Sequence, residues 1–324
     1  METVQRGKTV GIAINSGTGR IKGVPQLVGR LRESLAAFDA KFVVAYGPKP
    51  LDEPAPNSEG VTYLPNACRQ GEGVIRGFDR LISTDMQSKR LIYIDSDHVE
   101  ILLNKLPELA IRIGENIVIG RWQQDAMLHM PHSQYVAETG ISYAISFASP
   151  FYPQDGMAPS WKDRKNFESR AKEAGELYSV YLGLAGMPDK AWMEVSKAIP
   201  RLFTSSIQDL KHAGIDAGLI LVAQLNGYKA DNSLELPKHY GHEHYPRGSE
   251  GEKKYSESRL SHFMMEARVM QEFLQKTNPK KLPGLRSFLE EMAEAIRGVG
   301  FHWPDRDVPK SGFGTGERSS FVEE

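Results

Sequence analysis

Cysteine is almost missing from this chain: Cys68 is the only one among 324 residues. An intrachain disulfide and a cysteine-built zinc centre are therefore excluded, and a reducing, cytoplasmic setting is expected. Nowhere does an apolar run approach the roughly 18 residues a transmembrane helix needs, and METVQRGKTVGIAIN at the start has no apolar stretch of signal-peptide length. An excess of one charge is missing too: 40 Lys and Arg face 41 Asp and Glu, a net −1. A duplex-nucleic-acid binder carries a basic surplus to neutralise phosphates, so nucleic acid is disfavoured as main partner, with a local basic patch left open. No internal repeat or heptad run is present.

What is there reads as an ordinary globular chain, 40% apolar and 25% charged. Its length exceeds the roughly 250–300 residues at which a single core stops growing, so one large domain with an appended segment is expected. Thr9 to Asn15 is an apolar, β-branched strand closed by Ser16-Gly17-Thr18-Gly19. Helical spacing follows over Val24 to Phe38. Further strands are expected at Lys41–Tyr46, Val61–Leu64, Leu91–Ile94 and Asn116–Ile119, with helices at Val74–Ile82 and Pro107–Ile113 between them. This alternation predicts an α/β layer with a mainly parallel sheet, whose ligands bind beyond the carboxyl ends of the strands. From about Ser142 the pattern changes. Residues 148–165 read as loop, Phe167–Leu182, Trp192–Leu202 and Asp216–Leu225 as helices, and Ser233–Leu236 as a strand. Two long amphipathic helices are expected at Arg259–Leu274 and Leu285–Ile296.

Four features carry chemistry. Ile92-Tyr93-Ile94-Asp95-Ser96-Asp97 ends an apolar strand in two carboxylates, which suit a hard cation bound together with substrate phosphates; an acidic turn is the plainer alternative. Arg69-Gln70-Gly71-Glu72-Gly73 stands just before a helix, where glycine lets backbone approach a ligand and a helix start favours phosphate; an ordinary loop-to-helix turn would look the same. Gly214-Ile215-Asp216 opens a helix, so Asp216 is either a cap or a functional acid. His239, His242 and His244 crowd one loop after a strand, where imidazoles can hold a metal or simply face solvent. The Phe263, Met264 and Met265 run reads as core.

The order of these features resembles the GT-A glycosyltransferases, within them the mannosylglycerate synthase and glucosyl-3-phosphoglycerate synthase group, over roughly Thr9 to Leu274. The resemblance implies a GT-A, Rossmann-like, mainly parallel sheet flanked by helices, with a helical C-terminal segment. It implies a nucleotide-sugar-binding half over 1–130, an acceptor-binding half of the same domain over 131–255, C-terminal helices over 256–303 and a tail over 304–324. Asp97 takes the metal-binding place of the D-x-D motif, and Asp95 the donor's ribose or base side. Gln70, Gly71 and Gly73 fall in the stretch near the donor, with Gln70 where the family's usual residue is lysine. Asn15 and Ser16 stand where the nucleoside sits, in place of a proline common in relatives. Asp216 faces acceptor and sugar, and His242 is the metal-binding histidine, with His239 and His244 as rivals. Gly183-Leu184-Ala185-Gly186 resembles the small loop before the acceptor helix.

The activity implied is transfer of a sugar from a nucleoside-diphosphate sugar to a hydroxyl of a soluble acceptor, with Mn2+ or Mg2+ as cofactor and Asp216 orienting or deprotonating that hydroxyl. Loops 148–165 and 240–254 and the glycine-rich tail are candidates to close over the donor. A homodimer stays open. Three alternatives stand beside it. One is a nucleotidyltransferase, echoed in Gly17, Gly19, Arg20 and Lys22. Another is a non-catalytic nucleotide-sugar binder. The third is transfer to a modified nucleic-acid base, for which Lys253-Lys254 and Lys280-Lys281 would supply local charge.

Overall fold

The computed structural model describes residues 9–16, 24–47, 60–65, 70–95, 103–122, 132–175, 184–236 and 249–297. Strands β1 (Thr9–Asn15), β2 (Asp39–Ala45), β3 (Val61–Leu64) and β4 (Arg90–Asp95) alternate with helices α1 (Val24–Ser34) and α2 (Gln70–Leu81). Helix α3 (Leu106–Arg112), β5 (Ile117–Trp122), α4 (His132–Ala148) and α5 (Arg164–Glu173) follow. The remainder is β6 (Leu184–Pro188), α6 (Asp189–Leu202), α7 (Ile207–Leu210), α8 (Ile215–Leu225), β7 (Ala230–Leu236), α9 (Glu250–Thr277) and, after a short 3-10 turn, α10 (Leu282–Arg297).

The strands form one sheet in the order β3-β2-β1-β4-β6-β5-β7. β6 runs antiparallel to both β4 and β5; the other pairings are parallel. The central strands are near-continuous apolar runs because helices cover both sheet faces. Alternation divides them: Ile12, Ile14, Val44, Ile92 and Ile94 pack with α1 and α3, whereas Ala13, Val43 and Tyr93 face the larger cluster built with α2, α4, α8, α9 and α10. The mainly parallel sheet flanked by helices, with helices closing the chain, is the layout expected from the sequence. Among the described residues no helix is long and apolar enough to cross a membrane.

Several local expectations are corrected. A 17-residue helix, α4, occupies a stretch for which none was expected. Leu184–Pro188 is a central strand rather than a loop, and Gly186 packs closely there: a Cβ would lie 2.5 Å from Cδ1 of Ile113, just past α3. Helix α9 starts at Glu250, capped by the Ser249 hydroxyl, which accepts from the Glu252 amide at 3.2 Å. A boundary at 255/256 therefore falls inside this helix. The two C-terminal helices are not an appendage, because Phe263, Phe273, Leu285 and Phe288 lie fully within the larger core. Residues 149–163 are irregular but anchored: Tyr152 and Trp161 are buried, and the Trp161 amide donates to Glu291 at 3.0 Å.

Candidate functional site

The carboxyl ends of β1 and β4 lie side by side, with Asn15 in register with Asp95. Asn15 Nδ2 donates to Asp95 Oδ1 at 3.2 Å. Tyr93, two residues earlier on the same strand face, donates its hydroxyl to the same oxygen. Burial first, then the charges of Asp95 and Asp216, push the Tyr93 hydroxyl well above the usual phenol range, so it remains a neutral donor. Ser16 is also at this end: its amide donates to the Ala45 carbonyl at 2.9 Å, while its buried hydroxyl has no hydrogen-bond partner among the described residues.

Helix α2 brings the third contributor. Gln70, its first residue, donates from Nε2 to Asp95 Oδ2 at 3.3 Å and reaches Asp216 Oδ2 at 3.5 Å. Gln70 to Gly73 thus form the first turn of the helix rather than the loop before it. Two amides of this turn are spoken for: Gly71 N donates to the His212 carbonyl at 2.9 Å and Glu72 N to that of Lys211 at 2.8 Å. A Cβ on Gly71 would sit 2.1 Å from the Leu210 carbonyl oxygen, and one on Gly73 3.1 Å from Ala45 Cβ. Both glycines here serve close packing, and the Gly71 and Glu72 amides are turned to protein carbonyls instead of to a phosphate. The same backbone bonds lock the start of α2 to the turn that links α7 to α8.

Asp216 lies in the first turn of α8, only 4% exposed, where Gly214 holds the N-cap position without a side-chain bond. The carboxylate is turned into the protein toward Gln70, which argues against a simple capping role. Asn15, Gln70, Asp95 and Asp216, drawn from four separate stretches of chain, therefore converge. Asp97, His239, His242 and His244 lie outside the described residues, as do Arg69 and Gly183. Among the described residues no group of three or more His, Cys, Asp or Glu is arranged to hold a metal. The donors named at Asp95 are all neutral: the side-chain amides of Asn15 and Gln70 and the Tyr93 hydroxyl.

Of the two lysine pairs, Lys253, Lys254 and Lys280 are exposed, and Lys281 alone departs from a surface position. Lys281 is buried, donating from Nζ to the carbonyls of Phe147 and Tyr152 at 2.9 and 2.8 Å, where it satisfies the end of α4. Lys254 pairs with Glu250 on the α9 surface. Some polar residues near Asp216 escaped notice in the sequence. Tyr93 was legible from strand alternation alone. Glu138, Glu266 and His262 sit among apolar residues on long helices, with no motif to mark them. Burial, then Arg259 and His212, push the His262 imidazole down to about 4, and its ring lies 5.7 Å from that of His212.

No protein-family model matches the chain, and no curated protein sequence matches it. Among solved structures it is similar to mannosyl-3-phosphoglycerate synthase from Rubrobacter xylanophilus, at 12% identity and a TM-score of 0.41, over 84% of this chain and 75% of that one. It is similar to a mycobacterial protein at 12% identity and a TM-score of 0.37, over 84% and 76%. A third is described as a nucleotide-diphospho-sugar transferase from Desulfovibrio desulfuricans G20, at 15% identity and a TM-score of 0.27; the match covers 36% of this chain and spans only 59% of that one.

Proposed function

We propose that the chain is a metal-dependent glycosyltransferase, moving a sugar from a nucleoside-diphosphate sugar to a hydroxyl of a soluble acceptor. The observation that supports this reading most is the single Gln70 amide joining Asp95, at the end of β4, to Asp216, at the start of α8. Residues that the motif order assigns to donor and acceptor meet at the carboxyl edge of a mainly parallel sheet, where ligands of such sheets bind.

In this reading Asp95, oriented by Asn15, Tyr93 and Gln70, faces the nucleotide. Asp216 orients the acceptor hydroxyl or takes its proton. Asp97 and His242 would hold Mn2+ or Mg2+; when bound, the ion offsets the charge that builds on the diphosphate as the sugar departs. A screen of UDP-, GDP- and ADP-sugars, each with and without Mn2+, tests the proposal by thermal shift and donor hydrolysis. At least one donor should raise the melting temperature only when Mn2+ is present. If none of the donors stabilises the protein in either condition, the reading fails.

A further inference from the structure

Helices α4, α8 and α9 pack on one another and contribute the buried acids Glu138, Asp216 and Glu266 in turn, which are 6%, 4% and 4% exposed. Two of these have donors. Gln134 Nε2 donates to Glu138 Oε1 at 2.7 Å, and Gln70 Nε2 reaches Asp216 Oδ2. Glu266 differs, since its buried Oε2 has no hydrogen-bond partner among the described residues. The charged groups facing it are Asp216 from α8, Glu138 from α4 and Arg259 on its own helix. Arg259 is engaged by Tyr255, donating from Nε to the hydroxyl at 3.0 Å and lying 5.0 Å over the ring.

An ionised carboxylate with two like charges nearby and an unpaired buried oxygen is strongly disfavoured. Neighbouring buried carboxyls resolve such a conflict when one keeps a proton and the other carries the charge. Of the acids here, Glu266 has the poorest hydrogen bonding and Asp216 lies nearest the sheet edge where Gln70 and Asp95 meet. We propose that Glu266 is a positioning residue that holds a proton and thereby keeps the negative charge of the group on Asp216. Its catalytic consequence rests on the transferase reading above; its charge state does not. Burial, followed by the Asp216 and Glu138 charges, pushes the Glu266 carboxyl well above the usual glutamate range, in keeping with this assignment.

The test is a carbon-13 NMR titration of the full chain, labelled at Asp and Glu carboxyl carbons and assigned through bonds to the backbone. At pH 7 the Glu266 carbon should show the neutral-acid shift and the Asp216 carbon the carboxylate shift. An ionised Glu266 or a protonated Asp216 at pH 7 would overturn the proposal, whatever the protein's activity. With an active donor in hand, Glu266→Gln should keep kcat at pH 7 within about threefold of wild type and abolish the wild-type decline at alkaline pH, because the amide mimics the neutral acid. A Glu266→Gln enzyme that loses kcat equally at every pH would contradict it. Absence of turnover in the wild type counts against the transferase reading alone, and the titration then decides where the proton resides.

Discussion

Gln70 supplies two carboxylates with one neutral amide. It therefore fixes the orientation of Asp95 and Asp216 without discharging either, whereas a lysine at this position would add a cation between them. Asp216 is the more exacting of the pair, since a buried carboxylate at a helix start has few functions other than holding a polar group or a proton. Asp216→Asn preserves the shape and removes the charge. We expect kcat to fall by about 10²-fold or more, with donor KM little changed and the circular dichroism spectrum intact. Steady-state kinetics with an active donor check this, and an undiminished kcat would remove Asp216 from the chemistry.

Two helix starts set the geometry at the level of elements. The first turn of α2 is fastened to residues 211 and 212 by backbone bonds that only a glycine at 71 permits. Gly71→Ala places a methyl against a carbonyl, a form of overpacking that costs about 1–3 kcal/mol. A urea midpoint lowered without a change in m-value is expected; an unchanged midpoint would mean that the 210–212 turn yields freely. Elements of this kind were legible wherever periodicity was clean. TVGIAIN and VTYL have the bounds expected from their apolar runs. Helix α4 was hidden because its buried side includes Ser133, Gln134, Glu138, Thr139, Ser142 and Ser146, which erase the contrast between an apolar and a polar face. Strand β6 was hidden because a glycine and a proline in five residues mimic a turn, and its place between β4 and β5 depends on partners distant in the chain. For the site, the acidic strand end and the G-I-D helix start were visible, but the Gln70 bridge depends on how α2 and α8 are apposed, and the buried acids of α4 and α9 carry no local signature.

Over the whole molecule, the two buried glutamates of α9 act oppositely with pH. Burial alone would raise Glu272, but Ser206 Oγ, the Ser205 and Ser206 amides and Lys276 outweigh it and hold the carboxyl well below the usual range. A depressed carboxyl contributes stability above the unfolded-state value of roughly 4.3 and loses it as pH falls through the folded-state value. Wild-type unfolding free energy should therefore decline from about pH 5 downward. Glu272→Gln should flatten this decline while lowering stability at pH 7 by about 2 kcal/mol. Urea melts across that pH series provide the comparison, and parallel curves for the two proteins would show that Glu272 does not anchor the 204–206 turn. At this same scale the proposed function requires that the sheet's carboxyl edge, from Asn15 across Gln70 and Asp95 to Asp216, form a nucleotide-sugar site completed by a cation. The most direct measurement is a crystal structure of the chain grown with Mn2+ and the nucleoside diphosphate selected by the donor screen. Mn2+ should be bound by Asp97 together with the phosphates, with the nucleoside beside Asp95. A nucleotide bound elsewhere, or Mn2+ remote from Asp97, would contradict the proposed function.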